Sequence, residues 1–470
     1  MKATRNIRWS FLIISLLISS LLSACGTPAT PTPSGSTSDS ANTAANTNAS
    51  PATNTNSAAG ATQELSGEMA VSVEGWMVDK YNMKELVARF EKAHPNVKVK
   101  LLTHEGLGAN YSNIFLEWAQ TKKSTADLYF GGLVSQIAPA VIDDQLLPWD
   151  DVMTGELAPD KWIKPFLDAA YVPGPAGSNY PTLPGLGETM NFQVNTKYLK
   201  EIGKLDADGK PIMPKTYDEI MDYACQLAKV EVGGKKLTGL EMEYGINFAP
   251  DTWMAAVVAA EGKYLTDDGK INWDSPAGRQ WIEFQKKVVD EGCGGTLTFT
   301  DNNGARNGLK AGQIATINAS NSRSTEANAV VGTNVVQMFG YPGTGGVLAF
   351  SHQIYVPRVA KNPELARAFA REAILGEYGQ TWSAEHFGKM PTLWANYDAL
   401  AETDPNFAQV RKELSGPAQG QWQFRDGQAL RQAYVDELQR YLSGDQSIDE
   451  MISNLKASQD KSDLTIPGKK

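Results

Sequence analysis

The sequence predicts an α/β body with mostly parallel strands, because segments with strand and helix periodicity alternate along the chain. Apolar residues alternate over residues 69–73 and again over 97–101, as in half-buried strands. Between them, the apolar residues of segment 83–90 recur at the spacing of one helical face. A third apolar segment, 128–130, ends in two glycines. This alternation is typical of sheets that bind ligands beyond the carboxyl ends of their strands.

Later segments extend the pattern and make the last third of the chain mainly helical. Thr216 and Glu219 have the spacing of a capping box at a helix start. Residues 281–288 carry apolar side chains at helical spacing, and a proline begins the helical segment 363–369. Two further helices are predicted within 430–455.

The N-terminus has the order of a bacterial secretion signal. Basic residues precede an apolar run over residues 11–22, and small residues then lead to Cys25. A run of about 12 residues is too short to span a bilayer. We expect residues 1–24 to be removed and Cys25 to carry lipid, as in a lipoprotein. A short membrane anchor or an ordinary secretion signal is the alternative.

The segment after Cys25 has the composition of a disordered linker. Residues 26–63 contain no Val, Ile, Leu, Met or aromatic residue. Such a segment cannot bury enough apolar surface to offset its ordering entropy. We therefore expect residues 25–66 to be a lipidated cysteine and a flexible tether.

Composition narrows what the remaining body does. Its length of about 400 residues exceeds what one hydrophobic core usually serves, so two domains are expected. The net charge of -10 argues against a nucleic-acid partner. The 4 histidines show no metal-ligand spacing, so we expect neither a metal nor a cofactor.

Two cysteines remain once Cys25 is assigned to lipid. Cys225 and Cys293 form an even pair in an exported chain, which favours a disulfide between them. Two buried free thiols are the alternative, because two positions in a sequence fix no geometry.

An ordered set of short motifs covers most of the body. It includes LLPWDD at 146–151 and PKTYDE at 214–219. The other members are residues 83–99, 126–128, 180–197, 253–262, 309–315 and 438–451. In this order the set resembles the extracellular solute-binding proteins of ABC importers, the sugar-binding family that includes maltose-binding protein.

The resemblance implies a two-lobed periplasmic-binding-protein-like fold with a hinge and a ligand cleft between the lobes. The first lobe is expected to contain residues 67–183 and 320–375, and the second lobe 184–319 and 376–465. Hinge closure would trap the ligand. Crossings between the lobes are expected near 181–188, near 315–318 and between 356 and 376.

Two pairs of candidate ligand-binding residues follow from their positions along the chain. Trp76 and Glu105 follow the first and second predicted strands, where ligands bind. Asn318 and Asn321 lie in a polar run after the second crossing, and their amides both donate and accept hydrogen bonds. A core tryptophan, a solvated carboxylate and loop caps are the alternatives.

The resemblance implies four more candidates for the cleft. Glu188 lies at the first crossing, and Asp251 and Trp253 lie where the family places a stacking aromatic. His352 lies near the third crossing. The alternatives are a hinge ion pair for Glu188, a core tryptophan and a structural histidine.

These observations predict a monomeric, lipid-anchored protein that binds a carbohydrate outside the cytoplasm and performs no chemistry. An ABC permease and its ATPase are the expected partners.

Another small polar solute remains an alternative ligand, and Arg306 and Arg323 leave an anionic ligand open. A sensor that reports the ligand to a membrane kinase is a further alternative. So is a secreted glycoside hydrolase with Glu105 and Glu188 as its carboxylates, although no G-x-S-x-G, H-E-x-x-H or P-loop pattern occurs.

Overall fold

The computed structural model describes residues 64–104, 109–172, 179–294 and 303–468. The predicted signal, Cys25 and the predicted linker as far as residue 63 lie outside these residues, as does Glu105. Among the described helices, none combines the length and the apolar character that crossing a membrane requires.

The described strands belong to one large mixed sheet and one small hairpin. In chain order they are β1 (Gly67–Glu74), β2 (Val97–His104), β3 (Leu128–Leu133), β4 (Leu183–Asn195), β5 (Glu231–Val232), β6 (Lys235–Lys236), β7 (Thr238–Met242), β8 (Ile314–Ser320), β9 (Val336–Phe339), β10 (Val347–Tyr355), β11 (Met390–Pro391) and β12 (Ala418–Gln419). The main path of the large sheet is β2-β1-β3-β10-β4-β8-β7, and β5 and β6 form the hairpin.

Helices pack on this sheet and form the C-terminal part of the body. They are α1 (Met77–Lys80), α2 (Met83–Ala93), α3 (Ala109–Thr121), α4 (Val134–Ile142), α5 (Lys164–Ala170), α6 (Tyr217–Leu227), α7 (Ala249–Glu261), α8 (Pro276–Asp290), α9 (Gly304–Lys310), α10 (Ser322–Val331), α11 (Pro363–Phe369), α12 (Glu377–Phe387), α13 (Trp394–Thr403), α14 (Pro405–Glu413), α15 (Gly427–Ser443) and α16 (Ile448–Lys461). The predicted capping box is present at the start of α6, where Thr216 Oγ1 accepts a hydrogen bond from the Glu219 amide.

Strand directions differ from the expectation of a mostly parallel sheet. β1 pairs in parallel with β2 and β3, and β7 pairs in parallel with β8. In the middle of the sheet, β10 is antiparallel to both β3 and β4, and β4 is antiparallel to β8. The sheet is mixed because β4 and β10 run through the centre of the body in opposite directions. The α/β class is therefore confirmed, with a mixed sheet.

Strand β4 links two hydrophobic cores. Its first half pairs with β10, and its second half, from Met190, pairs with β8 and β9. All 13 of its residues are buried, which is expected of a strand covered on both faces. A strand of this length crosses from one half of the body to the other.

The two cores define two lobes. The first lobe is packed around β1, β3, α2 and α11, with Val71, Phe130 and Phe369 at its centre. The second lobe is packed around β7, β8, α6 to α8, α15 and α16, with Trp281 and Tyr434 at its centre. This is the two-lobed architecture that the motifs predicted.

One segment packs differently from its predicted lobe. Residues 322–339 were expected in the first lobe, but Ala327 and Val336 pack with Leu309 and Ile317 of the second lobe. Strand β9 in this segment also pairs with the second half of β4. The exact lobe boundaries otherwise stay a prediction.

The two cysteines of the body are bonded. Cys225 of α6 and Cys293, which follows α8, form a disulfide with their Cα atoms 4.6 Å apart. The bond ties two helices of the second lobe together.

Candidate functional site

A cavity of about 350 Å³ lies where the two lobes meet. The first lobe and the strands that join the lobes line it with Glu74, Trp76, Lys80, Leu133, Gln136, Glu188, Phe350, His352 and Lys389. The second-lobe side lines it with Asn247, Phe248, Asn303, Arg306 and Arg323. Aromatic faces and charged groups from both lobes therefore surround one space, as in ligand pockets generally.

The end of β1 forms one wall of the cavity. Glu74, the last residue of β1, accepts hydrogen bonds from Tyr111 Oη at 2.6 Å, the Gly132 amide at 2.7 Å and Trp76 Nε1 at 2.6 Å. These three bonds fix the carboxylate and orient the Trp76 ring, which remains 38% exposed. The Trp76 ring therefore presents apolar surface to the cavity from a rigid position.

Gly132 makes this wall possible. Its φ of +72° is in the left-handed region, and an added Cβ would lie 2.9 Å from the Tyr111 ring. Glycine is the residue that adopts this backbone without strain and allows the approach. The two glycines after the third predicted apolar segment thus bring the backbone against Glu74.

Glu188 of β4 is the most heavily bonded carboxylate in the cavity. Its Oε1 atom is bonded to Lys389 Nζ and lies 3.2 Å from His352 Nε2. Its Oε2 atom accepts from the hydroxyls of Ser320 and Ser322. Residues 188 and 389 are far apart in sequence, so this group of side chains forms only in the folded chain.

The opposite charges of Glu188 and Lys389 explain the ionisation of these two side chains. Burial alone would raise the pKa of Glu188, but the charge of Lys389, with smaller contributions from His352 and Arg323, holds that pKa well below its usual range. Burial lowers the pKa of Lys389, and the Glu188 charge partly offsets this. Glu188 is therefore an ionised carboxylate and not a proton donor. The ammonium group of Lys389 also lies 5.3 Å from the centre of the Trp76 ring.

A basic cluster, defined as Lys80, Arg306, Lys310 and Arg323, surrounds Glu326, and three of its four members line the cavity. Glu326 of α10 is within 2.6 Å of both Lys80 Nζ and Arg306 Nε, 3.4 Å from Arg323 and 3.8 Å from Lys310. Because α1 belongs to the first lobe and α10 packs with the second, the Lys80–Glu326 ion pair joins the lobes across the cavity. A deeper carboxyl group, that of Glu243, lies 3.5 Å from Arg323 Nε.

Three of the predicted ligand-binding residues line the cavity. These are Trp76, Glu188 and His352. Trp76 and His352 also contact each other, with ring centroids 5.1 Å apart. Their roles in ligand binding stay predictions.

Trp253 is not in the cavity, which corrects the strongest prediction of a stacking residue. Its side chain is 0% exposed in the core of the second lobe. The Trp273 ring lies 5.0 Å away, and an added Cβ on Gly278 would come within 2.6 Å of the Trp253 indole. Helix α7 is buried on every side through Ala259, so it carries no polar face that indicates which residue points at a ligand. Phe248, in the turn before α7, lines the cavity instead.

Asp251 has a structural environment rather than a place in the cavity. Its carboxylate is fully buried and bonded to Arg431 Nη1 at 2.7 Å and to Gln421 Nε2 at 2.9 Å. This pairing satisfies a charge inside the second lobe, as buried charges require.

The two asparagines are also corrected. Asn321 accepts a hydrogen bond from the Thr189 amide at 3.0 Å and donates to the Gly388 carbonyl at 2.7 Å. Asn318 accepts from Tyr341 Oη at 2.9 Å. Both amides are buried among the strands that join the lobes, where they satisfy backbone and side-chain groups.

Sequence reasoning named Glu188, Arg306 and Arg323 but missed the other three charged residues of the lining, Glu74, Lys80 and Lys389. Glu74 and Lys80 follow the rule that selected Trp76, since they lie at and just beyond the carboxyl end of β1. Lys389 had no local signal, because it precedes a strand of two residues and reaches Glu188 only through the fold.

A second cavity, of about 470 Å³, lies between β4, the glycine-rich loop 340–346 and α14. Its buried carboxyl group, Glu413, already accepts bonds from Asn191 Nδ2 at 2.9 Å and Gln409 Nε2 at 2.8 Å. Side chains from both lobes surround the first cavity but not this second one. We therefore place the candidate functional site in the first cavity.

Known proteins share the family and the fold. The sequence matches the family model described as bacterial extracellular solute-binding protein over residues 85–409. No curated protein sequence matches it. The maltose-bound MalE3 of T. maritima superposes with a TM-score of 0.70 at 14% identity, covering 84% of this chain and 99% of its own.

Two further solved structures have the same architecture. The GacH receptor of Streptomyces glaucescens GLA.O, solved without ligand and with acarbose, has a TM-score of 0.70 at 18% identity and covers 85% of this chain and 98% of its own. The sugar-binding protein MalE of Xanthomonas citri has a TM-score of 0.67 at 16% identity, with coverage of 84% and 97%. At these identities the likeness shows the fold.

Proposed function

The chain belongs to the family of bacterial extracellular solute-binding proteins, and from this premise we propose that it binds a carbohydrate between its lobes and delivers it to an ABC permease. Family membership implies a location outside the cytoplasm. The family's permease and ATPase are the proposed partners.

The observation that carries the proposal is the composition of the interlobe cavity. Trp76, Phe248 and Phe350 supply apolar surface, on which the C–H faces of a sugar pack. His352 and neighbouring charged side chains supply fixed hydrogen-bonding groups for hydroxyls. Structures with the same fold were solved with maltose and with acarbose, which supports a saccharide as the ligand class.

Closure of the lobes fits the delivery role. The Lys80–Glu326 ion pair at 2.6 Å joins the first lobe to α10, and β4 and β10 connect the lobes through the sheet. A ligand that contacts both walls would favour the closed arrangement over an open one by its extra contacts.

A hydrolase is a weaker alternative. A glycosidase needs one carboxylic acid that keeps its proton near neutral pH. Glu188 is one of the two carboxylates, with Glu105, that this alternative requires, and the charge of Lys389 holds its pKa well below its usual range against the effect of burial. Two of the solved structures that share the fold are a receptor and a sugar-binding protein.

A thermal-shift screen tests the binding proposal. Glucose, galactose, maltose and maltotriose are added to the purified protein, and titration calorimetry follows for any hit. A ligand at 100 times its dissociation constant stabilises the folded state by about 2.7 kcal/mol, so the correct class gives a clear rise in melting temperature. Release of reducing sugar from a polysaccharide in the same samples would contradict the proposal.

We further propose that Cys25 carries a lipid that tethers the body outside the cytoplasm. Cys25→Ala should move the protein from the membrane fraction to the soluble fraction, because a lipid chain supplies most of the membrane affinity. Saccharide affinity should stay unchanged. A variant that remains with the membrane after a carbonate wash would contradict the anchor.

A further inference from the structure

Positive charge exceeds negative charge at the basic cluster. Its four cations share two carboxyl groups, Glu326 and Glu243. Lys80, Arg306 and Arg323 of this cluster line the cavity directly, whereas Glu326 and Glu243 are not among its lining residues. The surface that the basic cluster offers to a ligand is therefore positive.

Partial burial makes this imbalance costly. Taking unpaired charge out of water is unfavourable unless a counter-charge is supplied. Burial is the main cause that lowers the pKa of Lys80 to about 8, against the opposing charge of Glu326, and the nearby Lys389 and Arg323 lower it further. Burial also raises the pKa of Glu243 to about 6, which weakens the compensation that this group gives at mildly acidic pH.

The other carboxylates of the cavity do not correct the imbalance. Glu188 is committed to Lys389, His352 and two serine hydroxyls. Glu74 is held by three neutral donors at the end of β1. Glu188 also acts on Arg323 through its charge, but Glu188 is bonded to Lys389, so among the described cavity-lining residues it is not a carboxylate that the basic cluster has to itself.

We propose that the ligand is an acidic saccharide whose carboxylate lies against Arg306, Arg323 and Lys80. This inference rests on the proposed carbohydrate function and names its substrate class. Guanidinium groups match planar carboxylates with paired hydrogen bonds, and Trp76, which lines the same cavity, offers a ring face on which the sugar ring packs. The cavity volume of about 350 Å³ is at the low end for ligand pockets, which favours a uronic acid or a short oligosaccharide of uronic acids.

Matched pairs of sugars test the inference. Titration calorimetry of the full chain purified in detergent compares galacturonate with galactose, glucuronate with glucose, and digalacturonate with maltose. The acid of at least one pair should bind at least 10-fold more tightly than its neutral partner. Its affinity should fall as salt rises, because the contact is between charges. Inorganic sulfate is included as an anion without a sugar ring.

Variants locate the effect in the cluster. Arg306→Gln should weaken binding of the acid about 10-fold and leave the neutral partner within about 2-fold. Lys310→Gln, at a cluster position outside the cavity lining, should give a smaller loss and provides a second variant if Arg306→Gln fails to fold. Arg358→Gln removes an arginine paired with Asp144 at the surface and should change neither affinity.

Three other outcomes would each overturn the inference. Equal or tighter binding of the neutral sugars would overturn the acidic ligand and leave the carbohydrate function standing. Sulfate binding as tightly as the uronates would overturn the saccharide carboxylate as the recognised group. Absence of binding by sugars of both kinds would overturn this inference and the proposed function together.

Discussion

Trp76 and Trp253 show how the interlobe cavity differs from the core of the second lobe. Trp76 is 38% exposed, and its indole nitrogen donates to Glu74 at 2.6 Å. Trp253 is 0% exposed, with Trp273 packed against it, and its indole nitrogen has no hydrogen-bond partner. One tryptophan is oriented by polar groups toward open space, and the other fills a closed core. The same residue type therefore serves recognition in one region and stability in the other.

Carboxylates show the same contrast. Glu188 lies in the cavity among cations that keep its pKa low against the effect of burial. Glu241 of β7 in the second lobe has no such cation, and burial raises its pKa to about 7. Glu188 thus has counter-charges within the cavity, whereas Glu241 of the second lobe has a high pKa and is mostly protonated in mildly acidic solution.

The largest expected effect comes from exchanging the two tryptophans for alanine. Trp253→Ala should lower the free energy of unfolding by about 3–5 kcal/mol, because it leaves a large cavity in a packed core. Trp76→Ala should cost less than about 1 kcal/mol of stability and weaken saccharide binding about 10-fold or more. Denaturant unfolding and calorimetry measure the two quantities.

Tyr171→Ala is the matched control for Trp76→Ala, since Tyr171 is also an exposed aromatic residue, at 43%, and lies outside the cavity lining. The opposite result for Trp253→Ala would contradict the comparison. If this variant binds the saccharide more weakly while it is folded and as stable as the wild type, Trp253 belongs to the ligand site.

A smaller effect should come from Glu241. The folded-state pKa of about 7 lies above the ordinary value of 4.5, so the folded protein holds this proton more tightly than the unfolded chain. The stabilisation is fully present below pH 4.5 and is lost as the pH rises through 7. Glu241→Gln should therefore be more stable than the wild type by on the order of 2 kcal/mol at pH 8 and about equal to it at pH 4.5.

Glu188→Gln should change the pH dependence of stability in the direction opposite to Glu241→Gln. Its folded-state pKa is depressed, so the stability from its ionisation is present above the ordinary pKa and is lost as the pH falls below it. The variant should be less stable than the wild type at pH 7, with a difference that narrows in acid. Melting temperatures measured across pH decide both cases, and parallel curves for the two variants would show that local charges do not distinguish the regions.

The sequence determined those parts of the protein that local patterns describe. Alternating residues predicted β1 and β2, and the capping box at Thr216 predicted the start of α6. The position of Trp76 after β1 was sufficient to place it at the cavity, because the carboxyl ends of strands meet at one edge of a sheet. The ordered motifs gave the family and the two-lobed fold.

Tertiary structure decided which side chains face the cavity. Helix α7 is buried through Ala259, so no periodicity distinguishes Trp253 from a residue that points at a ligand. Packing against Trp273 and Gly278 holds Trp253 in the core, and Phe248 lines the cavity instead. Lys389 meets Glu188 across 201 residues of sequence. The basic cluster likewise needs α1, α9 and α10 to converge. Such long-range contacts arise when the lobes pack together, and local sequence carries no pattern for them.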